Sequence, residues 1–379
     1  MFIPVRNWRK RTRSFLIDFR WKSWWSMRSW KKHRIAPRTI LIIEPNGCHG
    51  ETLPGFCKYL SDLNYTIDVI IHHSVAAENP FSRISKQGIS FFEMSWPFLK
   101  KLMNAPIIDQ YEAIILTTSS LYWLSGKNDS PSSLDYMGLR SKSKVFIVEH
   151  EMPDIERFDE GTFVEHKRLI TLGNFERGTW INPHYFGPIS KNKKNSTTEF
   201  IIVGSLSPEK KNYRLLVNAM EELEVSCKKD YIVNIIGNSE IPKTLPNNII
   251  QHLRLHGRLD FPRMYDLVEQ SDFFLPLLDP TNPEHTRYIT RGVTGSAQLI
   301  YGFLKPPVIH EKFSLFYGFS PKNSIIYRKS ELGSAMNRAI ELSAVDYSSI
   351  QESLRLLAGC VYKTSLMNFQ EALSHAPGI

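Results

Sequence analysis

Cysteine is scarce in this 379-residue sequence, and long apolar runs are absent. The four cysteines, Cys48, Cys57, Cys227 and Cys360, form no C-x-x-C pair and no Cys/His cluster at zinc spacing. This excludes a disulfide framework and a structural zinc site, and it favours a reducing compartment. Because no run of about 18 apolar residues occurs, we expect no membrane-spanning helix.

The composition is that of a folded protein with more than one domain. Hydrophobic residues make up 42% of the chain and charged residues 22%. Such a chain is too apolar to be disordered and too long for one small core, so two globular domains are expected.

The net charge of +9 comes from the N-terminus. Residues 1–38 contain twelve lysines and arginines but one acid, Asp18. They also hold five of the eight tryptophans: Trp8, Trp21, Trp24, Trp25 and Trp30. On a helical wheel, eight residues fall roughly along one face: Trp8, Thr12, Phe15, Leu16, Phe19, Ser23, Met27 and Trp30. Basic residues attract anionic lipid and tryptophan rings settle among headgroups, so this segment is predicted to lie on a membrane surface.

Three other interpretations of residues 1–38 compete with membrane binding. A secretory signal needs about 7 to 15 consecutive apolar residues, whereas the longest apolar piece here is Phe15–Ile17. Nucleic-acid binding would use similar residue types, but no other basic region supports it. A helix that packs on its own protein stays open. We therefore expect a cytoplasmic protein, peripheral on the inner face of the membrane, with no nucleic-acid partner.

Residues 39–189 have the pattern of a parallel α/β domain. The continuous β-branched strand Thr39–Ile43 runs into a glycine-containing turn and then helical spacing. Further short apolar strands are predicted at Tyr65–Ile71, Ala113–Leu116 and Val145–Val148. Buried apolar strands that alternate with helices are typical of a parallel sheet.

The same pattern restarts after a polar linker, residues 190–198. Strand Glu199–Val203 enters Gly204, and the helix Asn212–Leu223 follows. Further strands are predicted at Tyr231–Ile236, Ile249–His256, Asp272–Leu275 and Pro307–Ile309. Residues 199–345 therefore form a second α/β domain. Residues 346–379 are predicted to be helices that could return to the first domain.

Four strand ends in the second domain carry the residues of interest, because parallel α/β domains bind ligands at the carboxyl ends of their strands. These segments are VGSLSPEKKN (203–212), IIGNSE (235–240), HGRL (256–259) and TGSAQLIYGFLKPPVI (294–309). Their order and spacing resemble the C-terminal half of GT-B glycosyltransferases. The resemblance implies two Rossmann-like domains that face each other across a cleft, with the second domain binding a nucleotide sugar.

The resemblance places a donor diphosphate beside Gly204 and Ser205, with Lys210 as the lysine that neutralises it. Many retaining members have an arginine directly after the glycine, where this sequence has Ser205. Lys210, Arg214 or Arg258 would then supply that charge. Alternatively, the lysines at 210 and 211 simply form a solvated helix start.

The resemblance also assigns residues to the nucleotide and its phosphates. Arg258 matches the segment beside the base, and Tyr265 lies in the helix that follows. Thr294, Gly295 and Ser296 begin a predicted helix whose N–H groups and hydroxyls suit a phosphate. Simple helix capping is the alternative for this last group.

One motif of the family is absent. Many retaining members carry two glutamates separated by seven residues, but Gly292 follows Glu284 at a comparable distance, and Ile300 stands where the second carboxylate belongs. Three further residues become alternative sugar or phosphate contacts: Arg287, Tyr288 and Arg291. The departure indicates a divergent branch, and the stereochemistry of transfer stays open.

In the first domain, two loops carry ionisable groups. His49 and Glu51 follow the first strand in EPNGCHGE and could deprotonate an acceptor hydroxyl, a role typically worth about a hundred- to ten-thousandfold in rate. In VFIVEHE, the resemblance makes His150 the strand-end histidine that contacts the donor sugar. Ordinary loop hydrogen bonding is the alternative for His49 and Glu51, and a structural histidine is the alternative for His150.

The sequence contains no D-x-D motif, so no divalent metal or other cofactor is expected, and basic groups and helix ends would stabilise the leaving group. We interpret the protein as a metal-independent hexosyltransferase. Its acceptor would be a membrane- or lipid-linked glycan in surface polysaccharide or lipopolysaccharide assembly. A non-catalytic membrane-associated scaffold and a nucleotide-sugar epimerase of the same fold are the alternatives.

Overall fold

The computed structural model of the protein describes residues 22–100, 105–121, 132–152, 161–190, 194–207, 209–227, 229–239 and 245–375. The predicted membrane residues 1–21 therefore lie outside the described part of the chain. The chain divides into two compact units. The first unit is Met1–Phe81, Ser85–Ile181 and Leu366–Ile379, and the second is Ser82–Ile84 and Asn182–Ser365.

A seven-stranded parallel sheet forms the centre of the first unit, in the order β3-β2-β1-β4-β5-β6-β7. Its strands are β1 (Thr39–Glu44), β2 (Thr66–Ile71), β3 (Ile89–Glu93), β4 (Ala113–Leu116), β5 (Val145–Glu149), β6 (Leu169–Thr171) and β7 (Thr179–Trp180). All six positions of β1 are buried, as expected of a central strand covered on both faces. The strand order reverses between β1 and β4, and ligands of such sheets bind at the carboxyl edge of this switch point.

Helices lie before and between these strands. They are α1 (22–32), α2 (Leu53–Asp62), α3 (His73–Glu78), α4 (Trp96–Leu99), α5 (Ser133–Met137) and α6 (Gly161–Glu165), with 3-10 turns at Gly50–Thr52 and Pro106–Gln110. In α2, the apolar residues are buried, and the ring of Phe56 lies 5.9 Å from that of Phe369 near the end of the chain. The first unit thus includes the last helical residues as well as the N-terminal ones.

Helix α1 packs on the core of the first unit. Trp30 is fully buried, and its indole Nε1 donates a hydrogen bond to the Tyr111 hydroxyl at 2.8 Å. Ser23 is also buried, and Met27 packs against the same core cluster. Over its described part, the stripe predicted to face a membrane therefore faces the protein. None of the described helices is long and apolar enough to cross a bilayer.

The second unit repeats the parallel arrangement. Four strands pair in the order β10-β9-β8-β11, two more form the β12-β13 pair, and a bridge joins Phe274 to Pro307. The strands are β8 (Thr198–Val203), β9 (Tyr231–Ile236), β10 (Leu253–Gly257), β11 (Phe273–Phe274), β12 (Val308–His310) and β13 (Ile325–Tyr327). Its switch point lies between β8 and β11.

Helices follow these strands, and several of them begin with a side-chain cap. The helices are α7 (Tyr213–Ser226), α8 (Asn247–Ile250), α9 (Phe261–Gln270), α10 (Pro283–Thr290), α11 (Gly295–Phe303), α12 (Glu311–Ser314), α13 (Leu332–Glu341) and α14 (Ala344–Ser374). Asn212 caps α7, Asp260 caps α9 and Thr294 caps α11, each by accepting a backbone N–H. Because helices in such domains start at the carboxyl edge of the sheet, these caps lie where a ligand would bind.

Two glycines let neighbouring strand ends approach closely in the second unit. Gly204 follows β8 with φ 114°, and Gly237 follows β9 with φ 123°. A Cβ atom on Gly237 would lie 2.5 Å from the carbonyl oxygen of Gly204. Both the backbone conformation and the contact therefore require glycine at position 237.

Gly237→Ala is expected to destabilise the protein by more than about 3 kcal/mol, because an unfavourable backbone angle adds to a clash with rigid backbone. Gly257→Ala is the matched control, since φ is 65° there and no atom lies within 4 Å of the added Cβ. It should cost about 1 kcal/mol. Urea unfolding of both variants measures the difference, and equal losses would contradict this account of the strand ends.

Candidate active site

A buried lysine lies at the switch point of the second unit. Lys211 is 6% exposed, and its Nζ donates to the carbonyl oxygen of Pro276 at 3.0 Å and to the Ser296 hydroxyl at 2.8 Å. Its Cε would lie 3.2 Å from a Cβ on Gly204. Lys211 thus joins the ends of β8 and β11 to the start of α11.

The charge of Lys211 is sensitive to its surroundings. Burial lowers the pKa of its ammonium group to about 7. A bound anion would restore the charged form, because an opposite charge at close range raises a lysine pKa. Within the described part of the chain, the ammonium group has two acceptors, which leaves its third N–H for a ligand.

The neighbouring Lys210, which the sequence indicated as the diphosphate lysine, is exposed. The backbone N–H groups of Lys210 and Lys211 both bond to the carbonyl oxygen of Ser207 in a tight turn. This turn directs only the second lysine into the unit. Sequence reasoning missed Lys211, and its one available signal was its position directly before the cap residue Asn212.

The start of α11 forms the other side of this site. The Thr294 hydroxyl accepts the backbone N–H of Ser296 at 3.3 Å, and a Cβ on Gly295 would meet only the Gln298 Oε1, at 3.9 Å. Gln298 is 3% exposed, and its Nε2 has no hydrogen-bond partner among the described residues. The helix start therefore offers open space, a positive dipole end and a buried amide donor.

Helix α10 and its C-cap residue Arg291 carry the predicted sugar contacts. Its Arg287 donates to the Tyr288 hydroxyl at 3.0 Å, while Glu284 is more than half exposed and lies 4.0 Å from Arg287. The Tyr317 hydroxyl donates to the carbonyl oxygen of Tyr288 at 2.7 Å and accepts the N–H of Thr294 at 3.3 Å. Tyr317 thereby links α10 to the start of α11.

The two residues predicted to lie beside the nucleotide base, Arg258 and Tyr265, differ in exposure. Arg258 is exposed after β10. Tyr265 is fully buried, and its ring packs against Phe186, Phe261 and Phe303 at centroid distances of 5.3 to 5.6 Å. Tyr265 has no exposed surface to offer a nucleotide, so its observed role is packing within an aromatic cluster. Ser205, after β8, is partly exposed.

In the first unit, a buried carboxylate organises the switch point. Glu44, at the end of β1, accepts hydrogen bonds from the Asn46 backbone N–H at 2.7 Å and from the hydroxyls of Thr117 and Thr118 at 2.7 and 2.8 Å. Asn46 donates its Nδ2 to the carbonyl oxygen of Ser120 at 2.8 Å. Glu44 therefore ties the loop after β1 to the loop after β4, a role the sequence did not indicate.

His49, Glu51 and His150 come together beside this carboxylate. The rings of His49 and His150 lie 4.2 Å apart, and the His49 Nδ1 is 3.4 Å from the Glu51 Oε1. The His150 Nε2 lies 2.9 Å from the Thr117 carbonyl oxygen, so that nitrogen must donate. The Nδ1 of neutral His150 is then an acceptor. The structure thus assembles the three residues that the sequence proposed separately.

The three groups carry different charges. Burial alone would lower the pKa of His49, but the side chains of Cys48 and Glu51 raise it well above the ordinary value. Burial and the nearby His49 lower the pKa of His150 to about 3. Burial would raise the pKa of Glu51, but its contact with His49 lowers it overall. At neutral pH the cluster therefore holds a protonated His49, a neutral His150 and an ionised Glu51.

Burial raises the pKa of Glu44 from an ordinary 4.5 to about 7. The native state therefore keeps a proton that the unfolded chain has released, and this contribution to stability is full below about pH 4.5 and lost as the pH rises through about 7. The shift corresponds to about 3 kcal/mol. Glu44→Gln should remove this dependence.

The test is the difference in unfolding free energy between the wild-type protein and Glu44→Gln from pH 4.5 to 8. Taking the difference removes the contribution of groups that titrate alike in both proteins. A difference that does not change with pH would contradict the protonation of Glu44.

No group of three or more His, Cys, Asp or Glu side chains in the described part of the chain is arranged to hold a metal ion. Residues 153–160, which follow the VFIVEHE segment and Met152, lie outside the described residues.

Comparison with solved structures identifies the fold. A mutant of S. aureus TarM in complex with Fondaparinux, alpha-GlcNAc-glycerol and UDP is similar at 9% identity and a TM-score of 0.60, over 89% of this chain and 99% of that chain. An alpha-glucosyltransferase in complex with UDP and a 13-mer DNA matches at 11% identity and a TM-score of 0.55, over 89% and 98%. WaaG, a glycosyltransferase involved in lipopolysaccharide biosynthesis, matches at 9% identity and a TM-score of 0.51, over 90% and 100%.

No protein-family model matches the sequence, and no curated protein matches it. The chain has the GT-B fold of glycosyltransferases, with two Rossmann-like α/β units. This confirms the fold predicted from the sequence.

Proposed function

We propose that the protein is a glycosyltransferase that moves a glycosyl unit from a nucleotide sugar to a hydroxyl of an acceptor. The observation that carries this proposal is Lys211, a buried ammonium group held between the Pro276 carbonyl and the Ser296 hydroxyl at the switch point of a GT-B unit. A buried cation is costly unless an anion compensates it. The diphosphate of a nucleotide sugar is such an anion, and the UDP complexes of similar structures agree with it.

In the proposed donor site, Lys211 and the start of α11 bind the diphosphate. Gly204 and Ser205 provide close backbone approach, Thr294, Gly295 and Ser296 provide the helix start, and Gln298 adds a buried donor. Stabilising the leaving diphosphate with fixed donors would serve the function that a metal ion has in other transferases. Metal-independent transfer is therefore part of the proposal, and Lys210 is replaced in it by Lys211.

In the proposed acceptor site, a side chain of the first unit accepts the proton of the acceptor hydroxyl. His49 holds its own proton, so it cannot act as the base, and Glu51 is the ionised group that can accept the proton of an acceptor hydroxyl. Neutral His150 can accept a hydrogen bond from a sugar hydroxyl at Nδ1. Glu44 positions His150 through Thr117, whose hydroxyl it binds and whose carbonyl oxygen the histidine contacts.

We propose that the transferred unit is a hexosyl group and that the acceptor is a membrane- or lipid-linked glycan in surface polysaccharide or lipopolysaccharide assembly. Two observations support it: the basic, tryptophan-rich residues 1–38, and the similarity to WaaG. The proposed location is the cytoplasmic face of a membrane. Arg258, Glu284, Arg287, Tyr288 and Arg291 are proposed contacts for the nucleotide or sugar.

A thermal-shift panel of UDP-, GDP-, CMP- and dTDP-sugars tests the proposal. A ligand at a hundred times its Kd stabilises the folded state by about 2.7 kcal/mol. We expect a shift with one nucleotide class, lost in Lys211→Met and kept in Lys210→Ala. No shift with any nucleotide would favour the non-catalytic scaffold. Because one similar structure holds DNA, the panel also includes an oligonucleotide. A thermal shift with the oligonucleotide alone would overturn the proposal.

A further inference from the structure

Helix α1 has a second face, opposite the one that packs on the sheet. Trp24 is 36% exposed and Trp25 is 57% exposed. Their rings are nearly perpendicular at a centroid distance of 5.0 Å, and the Arg28 guanidinium lies over both, at 5.3 and 5.7 Å. Two large aromatic rings thus remain at the surface with a cation held against them.

The buried face makes this surface rigid. Trp30 and Tyr111 form a hydrogen-bonded chain to Asp68, because the Tyr111 hydroxyl donates to the Asp68 Oδ2 at 2.7 Å. The Ser23 hydroxyl accepts the backbone N–H of Ser95 at 3.1 Å. Both ends of α1 are therefore fixed to the first unit, and Trp24 and Trp25 cannot turn inward without breaking these contacts.

The helix runs from the carboxyl edge of the sheet towards the amino edge. Ser95 follows the end of β3, and the charge of Lys22 contributes, after burial, to lowering the pKa of His73, which follows the end of β2. Trp30, by contrast, contacts Tyr111, which precedes β4. Trp24 and Trp25 therefore lie towards the edge that carries His49, Glu51 and His150.

The charge around the two tryptophans is positive. The exposed residues of α1 include Lys22, Arg28, Lys31 and Lys32, and the helix contains no acid. Tryptophan rings with flanking lysines and arginines match the boundary between headgroups and acyl chains of an anionic bilayer. An oligonucleotide would match the charge, but exposed rings at the start of a fixed helix match a flat leaflet better than a groove.

We propose that the exposed face of α1, formed by Trp24, Trp25 and Arg28, binds the surface of an anionic lipid bilayer. Docking by this face brings the carboxyl edge of the first unit's sheet towards the leaflet. The proposed acceptor site lies at that edge, so a lipid-linked hydroxyl would be near Glu51. This last consequence rests on the proposed function, whereas lipid binding itself does not.

The experiment is co-sedimentation of the full-length protein with vesicles of phosphatidylcholine alone or with 30 mol% phosphatidylglycerol (about one lipid in three, chosen to give an anionic surface). Trp24→Ser/Trp25→Ser should weaken binding to the anionic vesicles at least tenfold, and Arg28→Glu should do the same. The matched control is Val225→Ser/Leu255→Ser, which removes two exposed apolar side chains from the second unit. It should bind like the wild-type protein.

Other outcomes would overturn the proposal. Unchanged vesicle binding by the double tryptophan variant would assign lipid binding to other residues. Parallel losses for oligonucleotides and vesicles would indicate a general polyanion site, and a change in oligomeric state would indicate contact between copies of the chain. Thermal unfolding and the nucleotide shift of each variant are measured alongside. If no nucleotide changes the melting temperature while vesicles still bind, the result would count against the transferase proposal but not against lipid binding by α1.

Discussion

Lys211→Met is expected to lower kcat/KM for nucleotide-sugar turnover by about 100- to 1000-fold, the loss typical of removing a fixed electrostatic donor from a transition state. Methionine keeps most of the side-chain volume but loses the ammonium group, so folding should persist. Lys210→Ala is the matched control because Lys210 is exposed one position earlier. A similar loss of kcat/KM in both variants would show that activity depends on the positive charge of the turn and not on the buried position of Lys211.

The same lysine predicts a pH dependence of nucleotide affinity. Burial lowers the pKa of Lys211 to about 7 in the unliganded protein, and a bound diphosphate would raise it. Above pH 7, binding must then take up a proton, so affinity should fall by up to about tenfold per pH unit. Calorimetric titration with UDP from pH 7 to 9 measures this slope. Lys211→Met should lack it, and a slope that survives in the variant would have another origin.

Glu51→Gln is expected to reduce kcat by at least about 100-fold while nucleotide binding stays unchanged, because the carboxylate is the ionised base of the cluster. Glutamine has the same shape but cannot take the proton. Glu165→Gln, an exposed carboxylate of the first unit, is the control. Because its pKa is lowered, Glu51 should stay ionised throughout the neutral range. Full kcat in Glu51→Gln, with intact His49 and His150, would contradict the assignment of the base.

The strands of the sheet centres could be predicted because their sequences are continuous and apolar. Ala113–Leu116 and Tyr231–Ile236 match β4 and β9, and Thr39–Ile43 falls one residue short of β1. Edge and short strands were missed, because β3 is partly exposed and β7 has only two residues. The predicted strand Ile249–His256 was wrong at its start, where the helical turn α8 ends at Ile250 and β10 begins at Leu253.

Side-chain direction was harder to predict than secondary structure. Lys210 and Lys211 are equivalent in sequence, and only the turn at Ser207 decides which of them is buried. The wheel that grouped Ser23, Met27 and Trp30 found a true apolar face of α1, but periodicity does not tell whether such a face meets a membrane or the protein's own core. The spacing of Tyr265 was likewise compatible with both packing and binding.

The hydrogen-bond network around Glu44 in the first unit could not be derived from the sequence. Glu44 is an acid at the end of an otherwise apolar strand, and its partners Thr117 and Thr118 lie more than 70 positions away. Such a pairing depends on β1 and β4 being neighbours in the sheet. The contact of His49 with His150 depends on the order β1-β4-β5 in the same way.

Above all, we propose that the protein transfers sugar from a nucleotide donor. The most direct test is release of the nucleotide from the nucleotide sugar that gives the thermal shift, which is a nucleoside diphosphate for UDP-, GDP- and dTDP-sugars and CMP for a CMP-sugar. It is measured with and without membrane lipid extract, together with transfer of labelled sugar into the lipid fraction. We expect release that depends on the acceptor and is lost in both Lys211→Met and Glu51→Gln. Nucleotide binding without release or transfer in any extract, or equal release by the wild-type protein and Lys211→Met, would contradict it.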